Sequence, residues 1–313
     1  MPTTWPEQIL GSVPIMGSRF PLSSGTVVVH SVFHSALNFT DKRGRLYTLV
    51  SKGEQMHPSS ALVSFSDPLS GFDGLSKSDQ AMLKESGIYF SCGLWVSFLG
   101  AKRVHPSQES SPPARAPTNA HLRARLHTLS RLQDEKHTSL VARALFMPSS
   151  DSSGLNAHIA IQASLLASSI RTHDIHLATK AIEGLLGLGP GATPTGDDFL
   201  CGFLLALYMG DEDHLKEYRG AFTTALMKLL HSPNPRTTDI SLQLLALACE
   251  GLFPQSFLAL ARTFSGDAVD DTQYISALGV LSSMGHSSGY DAATGLLFGL
   301  SALLPDFDYE GEV

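Results

Sequence analysis

Thr195, Gly196, Asp198, Gly202, Phe203 and Leu204 share a spacing with Ser288, Gly289, Asp291, Gly295, Leu296 and Leu297. Each set runs hydroxyl residue, Gly, any residue, Asp, three residues, Gly, and then an apolar pair. The first lies in GLGPGATPTGDDFLCG (187–202), the second in GHSSGYDAATGLLFG (285–299). A glycine-rich turn that feeds a helix leaves amide N–H groups to point at an anion, and the helix dipole adds a modest preference for negative charge. Two such starts predict one small, negatively charged ligand between them. Gly189, Gly191, Gly196 and Gly289 let backbone approach it. Thr193, Thr195, Thr237, Thr238, Ser287 and Ser288 supply hydroxyl donors to it. Asp197, Asp198 and Asp291 could orient a nucleophile or act as base. One or two of them could also hold Mg²⁺, the one cofactor the sequence suggests. His286, beside the second turn, titrates near neutrality and is an acid/base candidate.

The same residues also fit ordinary helix ends. Thr195 would then be an N-cap with Asp198 closing a capping box, and Ser288 would cap the second helix. A third start lies at Asn234–Asp239, where Thr237 or Thr238 can cap. Arg236 there offers a planar fork for a carboxylate or phosphate, or is a plain surface residue. Near the N-terminus, VVVHSVFHSALNF adds His34 and Asn38 as binding candidates, beside His30 and Ser31. The preceding valines argue for a strand, which separates histidines four apart, so no zinc site is read here. No GxxxxGK[ST] loop, no GxGxxG after a strand and no GxSxG nucleophile turn occurs.

The elements that must position these residues change character along the chain. Segments 26–33, 46–51, 61–65 and 94–99 are short, β-branched and bounded by turn residues, which predicts strands. Asp41–Gly44 reads as a turn. Residues 106–118 are dense in Pro and Ser and read as a linker. From 119 onward, leucines recur at helical spacing. Helices are expected over 119–135, 137–147, 156–171, 174–186, 196–209, 213–231, 238–250, 253–263, 271–283 and 287–303. The fold class is therefore α+β. A small β-rich, barrel-like domain (1–105) precedes a mainly α-helical domain (119–313) that carries the helix starts.

The chain has 313 residues, 43% apolar and only 16% charged, with a formal charge of −7. That composition predicts a well-buried globular protein and argues against nucleic-acid binding. Its apolar runs are short and interrupted, which predicts no membrane span. The three cysteines, Cys92, Cys201 and Cys249, fit neither a zinc site nor a disulfide framework, so a cytoplasmic setting is expected. MPTTWPEQIL lacks the basic and apolar regions of a secretory leader.

The strings GLGPGATPTGDDFLCGFLLAL, TTDISLQLLALACEG and GHSSGYDAATGLLFGL, with VHSVFHSALNF and RLYTLVS, together resemble a family of domain-of-unknown-function proteins. That family includes the AllH-type subunit linked to oxamate carbamoyltransferase in bacterial allantoin breakdown. The resemblance covers most of the chain outside 66–88 and 100–118. Ala192 and Thr195 replace a larger apolar residue and a Ser expected there. It implies a role in transferring a carbamoyl group between oxalurate and phosphate, giving oxamate and carbamoyl phosphate, and implies partner subunits. The Ser-Thr-Arg-Thr-type phosphate loop of the aspartate and ornithine carbamoyltransferases is missing. Three functions stay open: a carbamoyltransferase-like enzyme binding an anionic carboxylate, carbamoyl or phosphate substrate; a non-catalytic regulatory or scaffolding subunit; and an amide or ureido hydrolase or lyase, metal-assisted or not.

Overall fold

A computed structural model describes residues 8–21, 23–67, 71–104, 112, 117–132, 139–146, 154–264, 271–283 and 287–304. The chain divides into two compact units, 1–110 and 111–313.

The first unit is a closed barrel. Its strands are β1 (Gln8–Met16), β2 (Gly25–Phe33), β3 (Ala36–Thr40), β4 (Leu46–Val50), β5 (Ser60–Phe65), β6 (Gln80–Lys84), β7 (Gly87–Phe90), β8 (Leu94–Ser97) and β9 (Lys102–Arg103). They neighbour one another in the order β5-β4-β3-β2-β6-β7-β8-β1, and β1 returns to β5. Eight strands thus close the ring, and closure removes the unpaired edges that an open sheet would expose. β9 adds to β1 beyond the point where β8 stops.

Side chains alternate across the wall, as a two-residue period requires. Val27 and Val29 are buried while Val28 is exposed. Phe20 fills the interior with edge contacts to Phe39, Tyr47 and Phe98. The expected turn at 41–44 joins β3 to β4. Gly44 has φ +75°, and the Asp41 carboxylate accepts from the amides of Arg43 and Arg45.

All four expected strands form. β1, β3, β6, β7 and β9 are additions to them; in β1, Gly11, Ser12 and Pro14 break the apolar pattern. The structure explains the glycine: a Cβ at position 11 would overlap the Ser64 carbonyl of β5. The strand that closes the barrel thus carries residues that strands usually avoid.

The second unit is helical: α1 (Asn119–Leu132), α2 (Leu140–Phe146), α3 (Leu155–Thr172), α4 (Ile175–Leu185), α5 (Thr195–Met209), α6 (Asp213–Leu230), α7 (Asp239–Cys249), α8 (Gln255–Arg262), α9 (Asp271–Ser282) and α10 (Ser288–Ala302). Each expected helix has its counterpart. The outer parts of 119–135 and 137–147 and most of the 106–118 linker lie outside the described residues.

α5 and α10 are buried along nearly their whole length. An ordinary amphipathic helix would keep a polar face. These two instead form the centre of the unit and cross each other at glycine. A Cβ on Gly202 would overlap the Ala292 carbonyl, and one on Gly295 would overlap the Phe199 carbonyl. Phe199 and Ala292 occupy matching positions in the two sequence copies, so the contact is reciprocal. Further along, Gly299 lies against Ala206 and Phe203. Contacts advance in the same direction on both helices, so the pair is parallel and both N-termini lie at one end.

The preceding helices repeat the relation. Gly196 abuts the Leu185 carbonyl at the end of α4, and Gly289 abuts the Leu281 carbonyl near the end of α9. The sequence repeat is therefore a structural repeat, α4–α5 and α9–α10, with its two copies packed through their glycines. Among the described residues, no helix is long and apolar enough to cross a membrane.

Candidate functional site

The turn from α4 into α5 is built on Gly187, Gly189 and Gly191, with φ of +74°, +108° and +104°. Side chains with a Cβ are strained in that region. Gly187 has a second constraint, since a Cβ there would overlap the Arg236 carbonyl.

α5 then starts differently from the capping-box expectation. Pro194 holds the N-cap position, without a side-chain cap, and Thr195 is the first helical residue. The Pro194 carbonyl accepts from the amides of Asp197 (2.9 Å) and Asp198 (3.1 Å), and Gly196 N–H donates to the Leu188 carbonyl (2.8 Å). Three amides expected to face a ligand thus have backbone partners. In the second copy Ser287, not Ser288, is the N-cap, again without a side-chain cap. Its carbonyl accepts from Asp291 N–H at 2.9 Å. Both hydroxyls predicted as caps sit one position too far along and are released for other bonds.

Those bonds join the copies. Thr193 Oγ1 and Ser288 Oγ lie 2.8 Å apart. The Ser288 and Thr193 hydroxyls also face the Asp198 carboxyl, and the hydroxyls of Ser139, Ser287 and Thr195 face Asp291. Asp198 therefore meets Ser288 of the other helix, while Asp291 meets Thr195, the residue matching Ser288. The crossing at Gly202 and Gly295 brings both helix starts together and makes this exchange possible.

Asp197 has a different task. Its Oδ1 accepts from Gly187 N–H at 2.8 Å, and its Oδ2 accepts a short hydrogen bond from Thr237 Oγ1. The carboxyl staples the glycine turn to the third helix start. Thr238 caps α7 by accepting from Ser241 N–H at 3.1 Å, and its hydroxyl donates to the Ala192 carbonyl at 2.6 Å. Thr237 and Thr238 thus act on the turn from outside. Thr237→Val would leave one oxygen of buried Asp197 without its donor. A loss of stability of about 1–3 kcal/mol is expected, measured by urea unfolding. Arg236 is exposed and donates to the Glu183 carbonyl at 3.2 Å. It serves the C-terminal end of α4, where a cation is favourable.

Burial dominates the electrostatics. Asp291 is fully buried and Asp198 nearly so. Burial pushes the Asp291 carboxyl up to about 6 against the restraint of its hydroxyl partners. Burial also pushes Asp198 well above the usual carboxylate range; the Ser288 hydroxyl opposes this, and the Asp291 charge adds to it. Asp197 is raised by burial, offset in part by Thr237 and Gly187. One oxygen of each central carboxyl, Asp198 Oδ2 and Asp291 Oδ2, is buried with no hydrogen-bond partner among the described residues.

A pH dependence follows. The folded chain binds the Asp291 proton more tightly than an unfolded chain with the ordinary value of 3.8. Its contribution to stability is full below the unfolded value, declines as pH rises through about 6, and is lost above. Urea unfolding at pH 5 and pH 8 should show the chain more stable at pH 5. Asp291 alone should supply a difference on the order of 1 kcal/mol, which flattens in Asp291→Asn. Stability that rises over this range equally in both proteins would refute the assignment.

Ser139 is the site residue that sequence reading missed. Its hydroxyl donates to Asp291 Oδ1 at 2.5 Å and accepts from Ala142 N–H at 2.9 Å, at the start of α2. The visible signal is a Ser just before an apolar helical run. Its partner lies far along the chain, so spacing could not reveal it.

The other candidates are placed as follows. His286 lies outside the described residues. His34 and Asn38 belong to the barrel unit and part company there. His34 is exposed and pairs with Asp73 at 2.6 Å. Asn38 is buried, donating to Ser31 Oγ at 2.9 Å and accepting from Thr48 Oγ1 at 2.7 Å. Among the described residues no group of three or more His, Cys, Asp or Glu is arranged to hold a metal ion.

Two family matches cover the barrel and the repeat. Residues 14–103 match the AllH family N-terminal domain. Residues 185–300 match the family described as oxamate carbamoyltransferase subunit AllH, a span that begins at the end of α4 and takes in both helix starts. No curated protein and no solved structure matches the chain. The closed barrel and the doubled glycine–aspartate helix start thus each fall within a matched region, and the chain belongs to the AllH family, a family tied by its description to oxamate carbamoyltransferase.

Proposed function

We propose that the chain is a substrate-handling subunit of an oxamate carbamoyltransferase-type enzyme. Its ligand would be a small metabolite bearing a carboxylate, carbamoyl or phosphate group, held at the joined N-termini of α5 and α10. One observation carries the reading: Asp198 and Asp291, buried and hydroxyl-lined, come from matching places in two helices that cross at glycine.

A carboxyl raised to about 6 suits proton transfer near neutrality. When phosphate attacks the carbamoyl carbon of oxalurate, the C–N bond to the oxamate nitrogen breaks as a P–O–C bond forms. The departing nitrogen then gains a proton and the attacking hydrogen phosphate loses one; the Asp198–Asp291 pair would supply the first from Asp291 and take up the second, so each turnover restores its protonation. Thr193, Ser287 and Ser288 lie half-exposed above the carboxyls and would orient the ligand. The buried Cys201 and Cys249 thiols support a reducing, cytoplasmic setting.

Membership in a family of enzyme subunits favours a second reading, in which partner chains carry the chemistry and this chain only holds the metabolite. Thermal melting of the full chain with oxamate, oxalurate, carbamoyl phosphate and phosphate tests binding, because a ligand of the folded state raises Tm. Carbamoyl transfer is then assayed with and without partner subunits. Tm shifts with turnover that Asp198→Asn abolishes support the catalytic reading. Shifts with turnover that survives this substitution support the holding role.

A further inference from the structure

The unpartnered oxygens at the helix starts define what the ligand must present. Asp198 and Asp291 each keep one oxygen buried without a hydrogen-bond partner among the described residues. Leaving a buried acceptor unsatisfied is unfavourable, and such groups in native structures usually mark a missing partner. Each free oxygen accepts whether its carboxyl is ionised or holds its proton on the oxygen that faces the hydroxyls, so the missing partner is a donor.

Three kinds of ligand group can be compared. A simple oxyanion presents acceptors alone, as oxalate does, or a single O–H beside two negative charges, as hydrogen phosphate does, and either would meet two carboxyls at close range. A metal cation would suit the carboxyls but would sit at the positive ends of two parallel helices. No larger ligand set for it occurs among the described residues. A neutral group bearing N–H bonds satisfies both oxygens and adds no charge to either field.

We infer that Asp198 and Asp291 form an N–H-reading pair that selects a primary amide or ureido nitrogen and rejects a simple oxyanion at that point. The inference rests on the proposed ligand site and specifies which end of the ligand enters. The –NH₂ group points down between Asp198 Oδ2 and Asp291 Oδ2. The ligand's carboxylate stays at the half-exposed rim, where Thr193, Ser287 and Ser288 can donate to it. The 2.8 Å hydroxyl bond between Thr193 and Ser288 spans the two copies at this rim, and a ligand reaching the carboxyls takes over those hydroxyls. The anion expected from the helix starts is thus held at the mouth, and the selective contact below is to nitrogen. The reciprocal arrangement makes both carboxyls parts of one recognition element, with one from each copy of the repeat.

Oxamate and oxalate form a matched pair for testing this, because they differ by an amide in place of one carboxylate. Calorimetric titration of the full-length chain at pH 8 should show oxamate binding at least tenfold more tightly than oxalate or inorganic phosphate. Asp198→Asn and Asp291→Asn turn an acceptor into a donor. Each should weaken oxamate at least tenfold and narrow or reverse its advantage over oxalate. Far-UV circular dichroism identifies a variant that fails to fold. Thr193→Ala, which leaves both carboxyls in place, should keep the preference for oxamate. Oxalate or phosphate binding as tightly as oxamate to the wild-type chain overturns the N–H-reading pair while leaving the ligand site standing. No binding by any of the three overturns both.

Discussion

Gly202→Ala and Gly295→Ala should each destabilise the helical unit by about 3 kcal/mol or more, at or above the upper end for overpacking a core. The reason is the atom each new methyl would strike. At Gly202 it is the carbonyl oxygen of Ala292, and at Gly295 that of Phe199. Both are backbone atoms inside buried helices, so the clash is relieved only by moving a whole helix. The usual helix-propensity gain of Ala over Gly, about 1 kcal/mol, is too small to compensate. Gly279 is the control. It lies within α9, where an added methyl would meet nothing within 4 Å, and Gly279→Ala should be neutral or mildly stabilising. Because positions 202 and 295 act on one crossing, the double variant should lose less than the sum of the singles. Urea unfolding of the three singles and the double measures all of this. A Gly202→Ala protein as stable as Gly279→Ala would mean that the helices do not cross here.

The second large effect separates two neighbouring carboxylates. Asp198→Asn should lower kcat/KM of the assembled enzyme by about 10²–10⁴-fold, the range of a lost acid–base group. It should leave Tm unchanged or raised, since it removes a buried ionisable group whose carboxyl is pushed up by burial. Asp197→Asn should do the reverse. Its oxygens hold the Gly187 amide and the Thr237 hydroxyl, so its loss should appear first as lower stability. Parallel assays and melts of the two variants distinguish them. Unchanged turnover in Asp198→Asn would remove that residue from the chemistry.

Helix periodicity is local, and it locates the helices because their apolar faces recur every three or four residues. The doubled motif carries more than its notation suggests. Gly202 and Gly295 enter as matching positions of the repeated spacing and prove to be the two halves of one contact. The caps differ from expectation for a local reason: Pro194 and Ser287 take the cap positions and shift Thr195 and Ser288 into the helices. That one-residue shift frees hydroxyls to bond across the copies. Ser139 and the Thr237–Asp197 bond depend on residues distant in sequence, which no spacing rule reaches. β1 is hidden because it closes the barrel by close approach, so it is rich in residues that sequence patterns count against strands.

The proposed single ligand site at the two helix starts is tested most directly by titrating oxamate into the isotopically labelled full-length chain and following amide chemical shifts. The prediction is that Thr195–Asp198 and Ser288–Asp291 respond together and saturate along one binding curve. Shifts confined to only one of these helix starts, shifts confined to the barrel strands, or no shifts at saturating oxamate would contradict it.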